Sequence, residues 1–114
     1  MTEILPQEVW YAEFPFEENA NISKDRPVIV MDVDDENCAV FSMKVTSRAP
    51  RGEFEIEIFD WADIPLNHRS TADASKVIEI KKDKFRRKAG LLSDNDWQNV
   101  KDLHASYLKS IGFY

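Results

Sequence analysis

Residues 26–47, RPVIVMDVDDENCAVFSMKVTS, contain two β-forming runs separated by a polar turn. RPVIVMDV is apolar at successive positions, as in a central strand covered on both faces, and CAVFSMKVTS is rich in β-branched and aromatic side chains. DDEN, at 34–37, supplies residues typical of a turn. The stretch therefore predicts an antiparallel hairpin at the centre of a sheet.

The open end of this hairpin carries residues suited to binding phosphate. Antiparallel pairing around the turn brings Arg26, at the start of the first strand, opposite Thr46, at the end of the second. A guanidinium offers a fork of donors that matches phosphate oxygens, and a hydroxyl adds one further hydrogen bond. RNA is therefore a candidate substrate. Two structural alternatives stay open: Arg26 as an ion-pair partner of Asp25 or of an acid in the preceding loop, and Thr46 as an ordinary strand residue.

Further strands are predicted on both sides of the hairpin. EVWYAEF, at 8–14, is β-forming and ends before a proline. FEIEIF, at 54–59, alternates apolar residues with glutamates, which predicts a half-buried strand with a solubilising acidic outer face. ASKVIEI, at 74–80, is the predicted last strand, and the segments 16–25 and 60–70 are predicted connections.

The chain is predicted to end in an amphipathic helix. Ser93 is placed as its N-cap, acids follow in the first turn, and Gly112 is placed to end it. Apolar residues recur at helical spacing: Trp97, Val100, Leu103, Tyr107, Leu108 and Ile111. Short strands followed by one such helix predict a mainly β fold, a small bent sheet or barrel with a C-terminal amphipathic α-helix.

Length and composition limit the class of protein. With 114 residues, 43% of them hydrophobic, the chain is expected to form one domain, residues 1–114. It contains no membrane-length apolar run and does not begin like a signal peptide, so a cytoplasmic protein is expected. Cys38 is the single cysteine, which excludes an intrachain disulfide, and it is expected to be a small core residue.

The positions of the charged residues say more about a nucleic-acid partner than the net charge does. A formal net charge of −6 argues against a nucleic-acid partner, yet residues 37–52 contain Lys44, Arg48 and Arg51 and no acid. The run KVIEIKKDKFRRK, at 76–88, has seven cations against two acids. Such a run either helps to hold a polyanion or is a solvated loop edge.

The sequence contains other residues that can carry chemistry. His68 and His104 are the residues suited to proton transfer near neutral pH; His104 falls on the helix, whereas His68 lies in a connection where it can reach a substrate. The acids of MDVDDEN suggest a hard-cation site, although an acidic turn explains them better. Among the aromatic residues, Phe16 or Trp61 is expected to be exposed for base stacking.

The chain resembles the MazF/PemK family of bacterial toxin endoribonucleases. The resemblance rests on VWYAEFPF, on the Arg-Pro that opens the second strand, on the Thr-Ser that closes the third, and on the phrase R-K-x-G-x-L-S-x-x-D from residue 87 to residue 96. It covers most of the chain. It implies an SH3-like barrel of about five to seven strands and a homodimer that works with a cognate antitoxin.

The same resemblance implies an activity and assigns residues to it. The activity is metal-independent cleavage of single-stranded RNA, leaving a 2′,3′-cyclic phosphate and using no cofactor. Arg26 and Thr46 match the family's catalytic arginine and threonine, and Ser47 a phosphate contact. The other predicted substrate-binding residues are Lys44, Arg48, Phe16 and His68.

Two features depart from the family pattern. The chain is acidic overall, and it has Gln7-Glu8 where many relatives have Gly-Asp before the first strand. Two alternatives therefore stay open: a catalytically silent SH3-like module that binds protein or nucleic acid, and a toxin of the same fold that acts on DNA gyrase.

Overall fold

The structure is a computed structural model that describes residues 3–15, 23–58 and 70–113. Within these residues the chain forms six strands and one α-helix. The elements are β1 (Glu8–Pro15), β2 (Ser23–Asp34), β3 (Ala39–Thr46), β4 (Glu55–Glu57), β5 (Thr71–Lys81), β6 (Phe85–Leu91) and α1 (Asp94–Ser110). A short 3-10 turn, Lys82–Lys84, joins β5 to β6.

All six strands belong to one antiparallel sheet with the order β4-β5-β3-β2-β1-β6. The predicted hairpin, β2 paired with β3, lies at its centre. The predicted mainly β fold with a C-terminal helix is confirmed.

The central strands bury side chains on both faces, as their continuous apolar run predicts. On one face Ile29 and Met43 share a core cluster with Val100 of α1. On the other face Val28 and Val30 belong to clusters that join β2 to its neighbours. All five of these side chains are essentially inaccessible to solvent.

The hairpin turn corrects the expectation for Cys38. The turn is closed by Asp34, whose carboxylate accepts hydrogen bonds from the Asn37 backbone N–H at 3.3 Å and from its side-chain amide at 2.7 Å. Cys38 follows with φ of 52°, and its side chain is exposed. The prediction of a core cysteine is wrong because the left-handed turn directs this residue away from the sheet.

The end of the sheet also differs from the prediction. β5 begins at Thr71 and not at Ala74, and the basic run continues into a sixth strand. β6 pairs with β1 and buries Ala89 while Arg86, Arg87 and Lys88 stay exposed. The solvated-loop interpretation of this run is therefore wrong: most of it is strand, and its cations lie on the surface of an ordered element.

The helix agrees with its predicted boundaries. Ser93 accepts a hydrogen bond from the Asp96 backbone N–H at 3.1 Å, and Gly112 adopts φ of 79° just after the helix ends. The side chain of His104, on α1, reaches β5, where its Nδ1 lies 3.1 Å from the Ala74 carbonyl oxygen. Ile111, which continues the apolar spacing, is 57% exposed because it lies beyond the last helical turn.

In the described parts of the chain, no helix combines the length and apolarity needed to cross a membrane.

Candidate functional site

The register of the central hairpin places Arg26 beside Thr46. Val28 pairs with Lys44 and Ile29 with Met43, so continuing the register by two residues sets Arg26 opposite Thr46. Side chains alternate between faces along a strand, and directly opposed residues share a face. Arg26 and Thr46 therefore lie on the face that carries Val28 and Lys44, each two residues beyond the last observed pair of β2 and β3. Both residues are partly exposed.

β5 adds two polar residues that the sequence analysis missed. Thr71 pairs with Thr46, and Asp73 pairs with Lys44, so both share the face of the Arg26–Thr46 pair. Thr71 donates a hydrogen bond from Oγ1 to the Arg48 carbonyl at 2.5 Å. Asp73 accepts hydrogen bonds from the backbone N–H and the hydroxyl of Ser75, at 3.0 and 2.6 Å. The signal that could have found them is the alternation of polar residues with alanine in TADA, residues 71–74, which extends the predicted last strand towards its start.

Arg48 forms the best-defined contact near the site. Its guanidinium makes a bidentate ion pair with Glu55 of β4, with Nη2 2.8 Å from Oε2 and Nη1 in contact with Oε1. The Arg51 backbone N–H also donates to Glu55 Oε1, at 3.0 Å. We call the contacts among Arg48, Arg51 and Glu55 the Arg48–Glu55 clasp. It links the end of β3 to β4 and so fixes the segment that follows Thr46.

The clasp corrects one sequence expectation. The sequence predicts that the glutamates of FEIEIF only solubilise an outer face. The Glu55 side chain is instead largely buried, with 13% of it exposed. Its hydrogen bond with Arg48 lowers the pKa of Glu55 to about 2, although burial opposes the shift. Arg48 was predicted to bind substrate. That role stays a prediction, and the structure adds a structural role for its guanidinium.

The remaining predicted site residues lie in different places. Lys44 is partly exposed on the face of the Arg26–Thr46 pair, and Ser47 is exposed just beyond the end of β3. Phe16 and His68 fall outside the described residues, as does Trp61. The roles assigned to all of these residues remain predictions.

The acidic turn of MDVDDEN is explained by local contacts. Asp34 closes the turn through Asn37, and Asp35 forms an ion pair with Lys82 at 2.6 Å. Across residues 3–15, 23–58 and 70–113, no three His, Cys, Asp or Glu residues form a group able to hold a metal ion.

The clasp predicts a pH-dependent contribution to stability. Replacing Glu55 by glutamine is expected to lower the free energy of unfolding near neutral pH by about 1 to 2 kcal/mol; this is less than the whole pKa displacement implies, because solvent reaches Arg48. The folded pKa of about 2 lies below the ordinary value of 4.5. The contribution is therefore complete above pH 4.5 and is lost as the pH falls towards 2.

Urea denaturation near neutral pH and at about pH 3 measures this effect, and the gap between native chain and variant should narrow at the lower pH. Glu53→Gln, an exposed position two residues earlier, is the matched control and should change stability by no more than about 0.5 kcal/mol. Equal losses of unfolding free energy in Glu55→Gln and Glu53→Gln would show that the clasp makes no specific contribution to stability.

The family of the chain follows from comparison with known proteins. The model of the PemK-like, MazF-like toxins of type II toxin-antitoxin systems matches residues 6–106. This match covers most of the sequence, and the chain belongs to that family.

Solved structures of toxins share the fold. An endoribonuclease from a mycobacterial species, solved in complex with its cognate antitoxin, is 13% identical with a TM-score of 0.75, covering 94% of this chain and 96% of that one. MazF from Deinococcus radiodurans is 17% identical with a TM-score of 0.71, covering 91% and 94%. The Mycobacterium tuberculosis toxin MazF-mt6 is 15% identical with a TM-score of 0.71, covering 90% and 96%. Comparison with curated protein sequences finds no match.

Proposed function

We propose that this chain is the endoribonuclease toxin of a toxin-antitoxin pair and cleaves single-stranded RNA without a metal ion. The observation that carries the proposal is the β2–β3 register, whose continuation beyond Val28 and Lys44 leads to the guanidinium of Arg26 and the hydroxyl of Thr46 on one face of the sheet. Family membership and the similarity of the fold to proteins described as endoribonucleases support it.

The reaction is a transesterification followed by release of product. The 2′-hydroxyl attacks the adjacent phosphorus and loses its proton, the bond to the 5′-oxygen breaks, and that oxygen gains a proton. The products are a 2′,3′-cyclic phosphate and a 5′-hydroxyl. Arg26 stabilises the negative charge that develops on the phosphorane oxygens. Thr46 orients a non-bridging oxygen or relays a proton.

The neighbouring residues position the RNA. Lys44 on the same face and Ser47 at the strand end contact phosphate oxygens on either side of the scissile bond. The Arg48–Glu55 clasp holds the chain after Thr46, so that its hydroxyl keeps a fixed direction. Phe16 and His68 complete the proposed substrate-binding set.

The biological setting follows from the family. We propose that the whole chain, residues 1–114, is one toxin domain, that it forms a homodimer in the cytoplasm, and that a cognate antitoxin neutralises it. Solved structures of similar toxins in complex with an antitoxin support this partner.

Removing divalent ions tests the activity directly. Incubation of the chain with single-stranded RNA in EDTA is expected to yield fragments that end in a 2′,3′-cyclic phosphate, because the proposed chemistry uses only side chains. Gel electrophoresis with mass spectrometry of the fragment ends measures it. Fragments that form only with added divalent ions would contradict the proposal. Intact RNA under all conditions, together with retained binding, would support the silent module.

A further inference from the structure

Asp73 of β5 is a buried carboxylate on the face of the sheet that carries the Arg26–Thr46 pair. It pairs directly with Lys44 of β3, so the two side chains share that face. Only 5% of the residue is exposed to solvent. Burying a charged group costs free energy unless other groups stabilise it, and the proposed mechanism gives this carboxylate no role. The contacts of Asp73 therefore bear on a further role for the residue.

Only one of the two carboxylate oxygens of Asp73 has a hydrogen-bond partner among the described residues. Oδ1 accepts hydrogen bonds from the Ser75 backbone N–H at 3.0 Å and from the Ser75 hydroxyl at 2.6 Å. Oδ2 accepts none from the part of the chain that the structure describes. In that same part, every fully buried polar side-chain atom has a partner, so Oδ2 reaches solvent. The carboxylate is held by one oxygen and offers the other to a ligand.

A bulge in β5 fixes the direction of this carboxylate. Lys44 and Met43 are adjacent in β3. Their partners in β5, Asp73 and Val77, are four positions apart, so β5 carries three extra residues, 74–76. These residues include the serine that donates both hydrogen bonds to Oδ1. Bulges often redirect a side chain beside a functional site, and an acceptor held in this way needs little reorganisation when a donor binds.

Asp73 lies one row of side chains away from the proposed catalytic pair. Thr46 pairs with Thr71, which is two residues before Asp73 in β5. The row formed by Lys44 and Asp73 is therefore displaced from the row of Thr46 by two residues of strand, about 7 Å. A group at this displacement faces a nucleotide next to the scissile linkage and not the linkage itself.

A carboxylate oxygen accepts hydrogen bonds and repels phosphate. In single-stranded RNA the amino groups of adenine, cytosine and guanine are donors, and they lie on base edges that are free when the strand is unpaired. Uracil has no amino group, and its one N–H lies between two carbonyl oxygens that a carboxylate repels. Lys44, in the same row as Asp73, can bind the phosphate of the same nucleotide.

We propose that Asp73 is a specificity-determining residue, which accepts a hydrogen bond from the amino group of a base next to the scissile linkage and so disfavours uracil at that position. This inference rests on the proposed endoribonuclease function. A basic side chain of a protein partner would also suit the carboxylate, but the place of Asp73 beside Lys44 and the proposed catalytic pair favours RNA.

Removing the amino group from the RNA tests this contact in the native chain. The substrates are short single-stranded RNAs in which each of the four bases in turn occupies each position that flanks the cleaved linkage. A further substrate carries the preferred base without its amino group at the position where uracil is disfavoured. The native chain is expected to cleave the uracil and amino-free substrates with a kcat/KM on the order of tenfold lower than the preferred substrate.

Asp73→Asn is expected to remove this preference. The amide keeps the size of the side chain and an oxygen for Ser75, but its NH₂ group donates to the carbonyl oxygens of uracil. The ratio of kcat/KM between the preferred and uracil substrates should therefore fall to near one. Asp83→Asn, at an exposed aspartate of the 3-10 turn, is the matched control and should keep the native ratio. Thermal melting checks that each variant is folded.

The outcomes separate this inference from the proposed function. A native chain that cleaves RNA but ignores the amino group overturns the role of Asp73 in reading RNA and leaves a basic side chain of a protein partner as its ligand. An Asp73→Asn chain that cleaves every substrate more slowly by one factor also overturns it, since the residue would then serve the structure or the reaction. A native chain that cleaves no RNA overturns the proposed function instead.

Discussion

Replacing Arg26 by alanine is expected to lower the rate of RNA cleavage by about a hundred- to a thousandfold, or about 2.7 to 4 kcal/mol of transition-state stabilisation. The expectation follows from the proposed mechanism, in which the permanently charged guanidinium of Arg26 faces the phosphate that becomes a phosphorane. The loss should appear in kcat more than in KM, since the charge that Arg26 stabilises is greatest in the transition state. Single-turnover cleavage of a fluorescent RNA measures it.

Two further variants show whether the effect is specific to Arg26. Arg26→Lys keeps the charge but not the planar fork, so partial recovery is expected. Arg51→Ala removes an exposed arginine and keeps the backbone N–H that donates to Glu55 in the Arg48–Glu55 clasp. It should cleave nearly as fast as the native chain. Comparable losses in Arg26→Ala and Arg51→Ala would mean that positive charge near the hairpin acts only by attracting RNA.

Replacing Thr46 by valine is expected to slow cleavage by roughly a hundredfold, within the range that a positioned proton-transfer or oxyanion group supplies. Valine keeps the β-branched shape and the strand preference, so the variant removes the hydroxyl alone. Thr46→Ser restores a hydroxyl and should recover most of the rate. The measurement is kcat with the same RNA, and circular dichroism melting checks the fold.

A comparison of Thr46 with Thr71 distinguishes a hydroxyl needed for cleavage from one needed for stability. Thr71, the β5 partner of Thr46, is buried and donates to the Arg48 carbonyl, so its hydroxyl serves the structure. Thr71→Val should therefore lower stability more than Thr46→Val does. A Thr46→Val chain that cleaves at the native rate would remove this residue from the proposed mechanism, whatever Arg26 does.

The hairpin and the helix were predictable because their signals are local. Two β-forming runs joined by DDEN specify a hairpin, and Ser93 with Gly112 specifies the ends of α1. The observed pairs of β2 and β3 shift register by one residue between Val30 and Asp32 and end at Val28 and Lys44, two residues short of Arg26 and Thr46. The hairpin that carries Arg26 and Thr46 could therefore be predicted without knowing which remote segments of the chain pair.

The missed features depend on pairing between remote segments. β6 is rich in exposed cations and buries little of its own surface, so its strand form depends on β1, more than seventy residues earlier. The Arg48–Glu55 clasp depends on where the chain turns back after β3. Thr71 and Asp73 are polar residues in a buried strand, a combination that sequence patterns assign to a loop.

Cys38 is a suitable site for a fluorescent label. As the single cysteine in the sequence, exposed at the closed end of the hairpin, it can take one thiol-reactive dye. Eight residue steps separate Cys38 from Thr46, roughly 26 Å of extended chain. Its carbonyl accepts a hydrogen bond from the Lys82 backbone N–H at 2.9 Å. A fluorophore there would report changes at the closed end of the hairpin while lying far from the proposed catalytic pair.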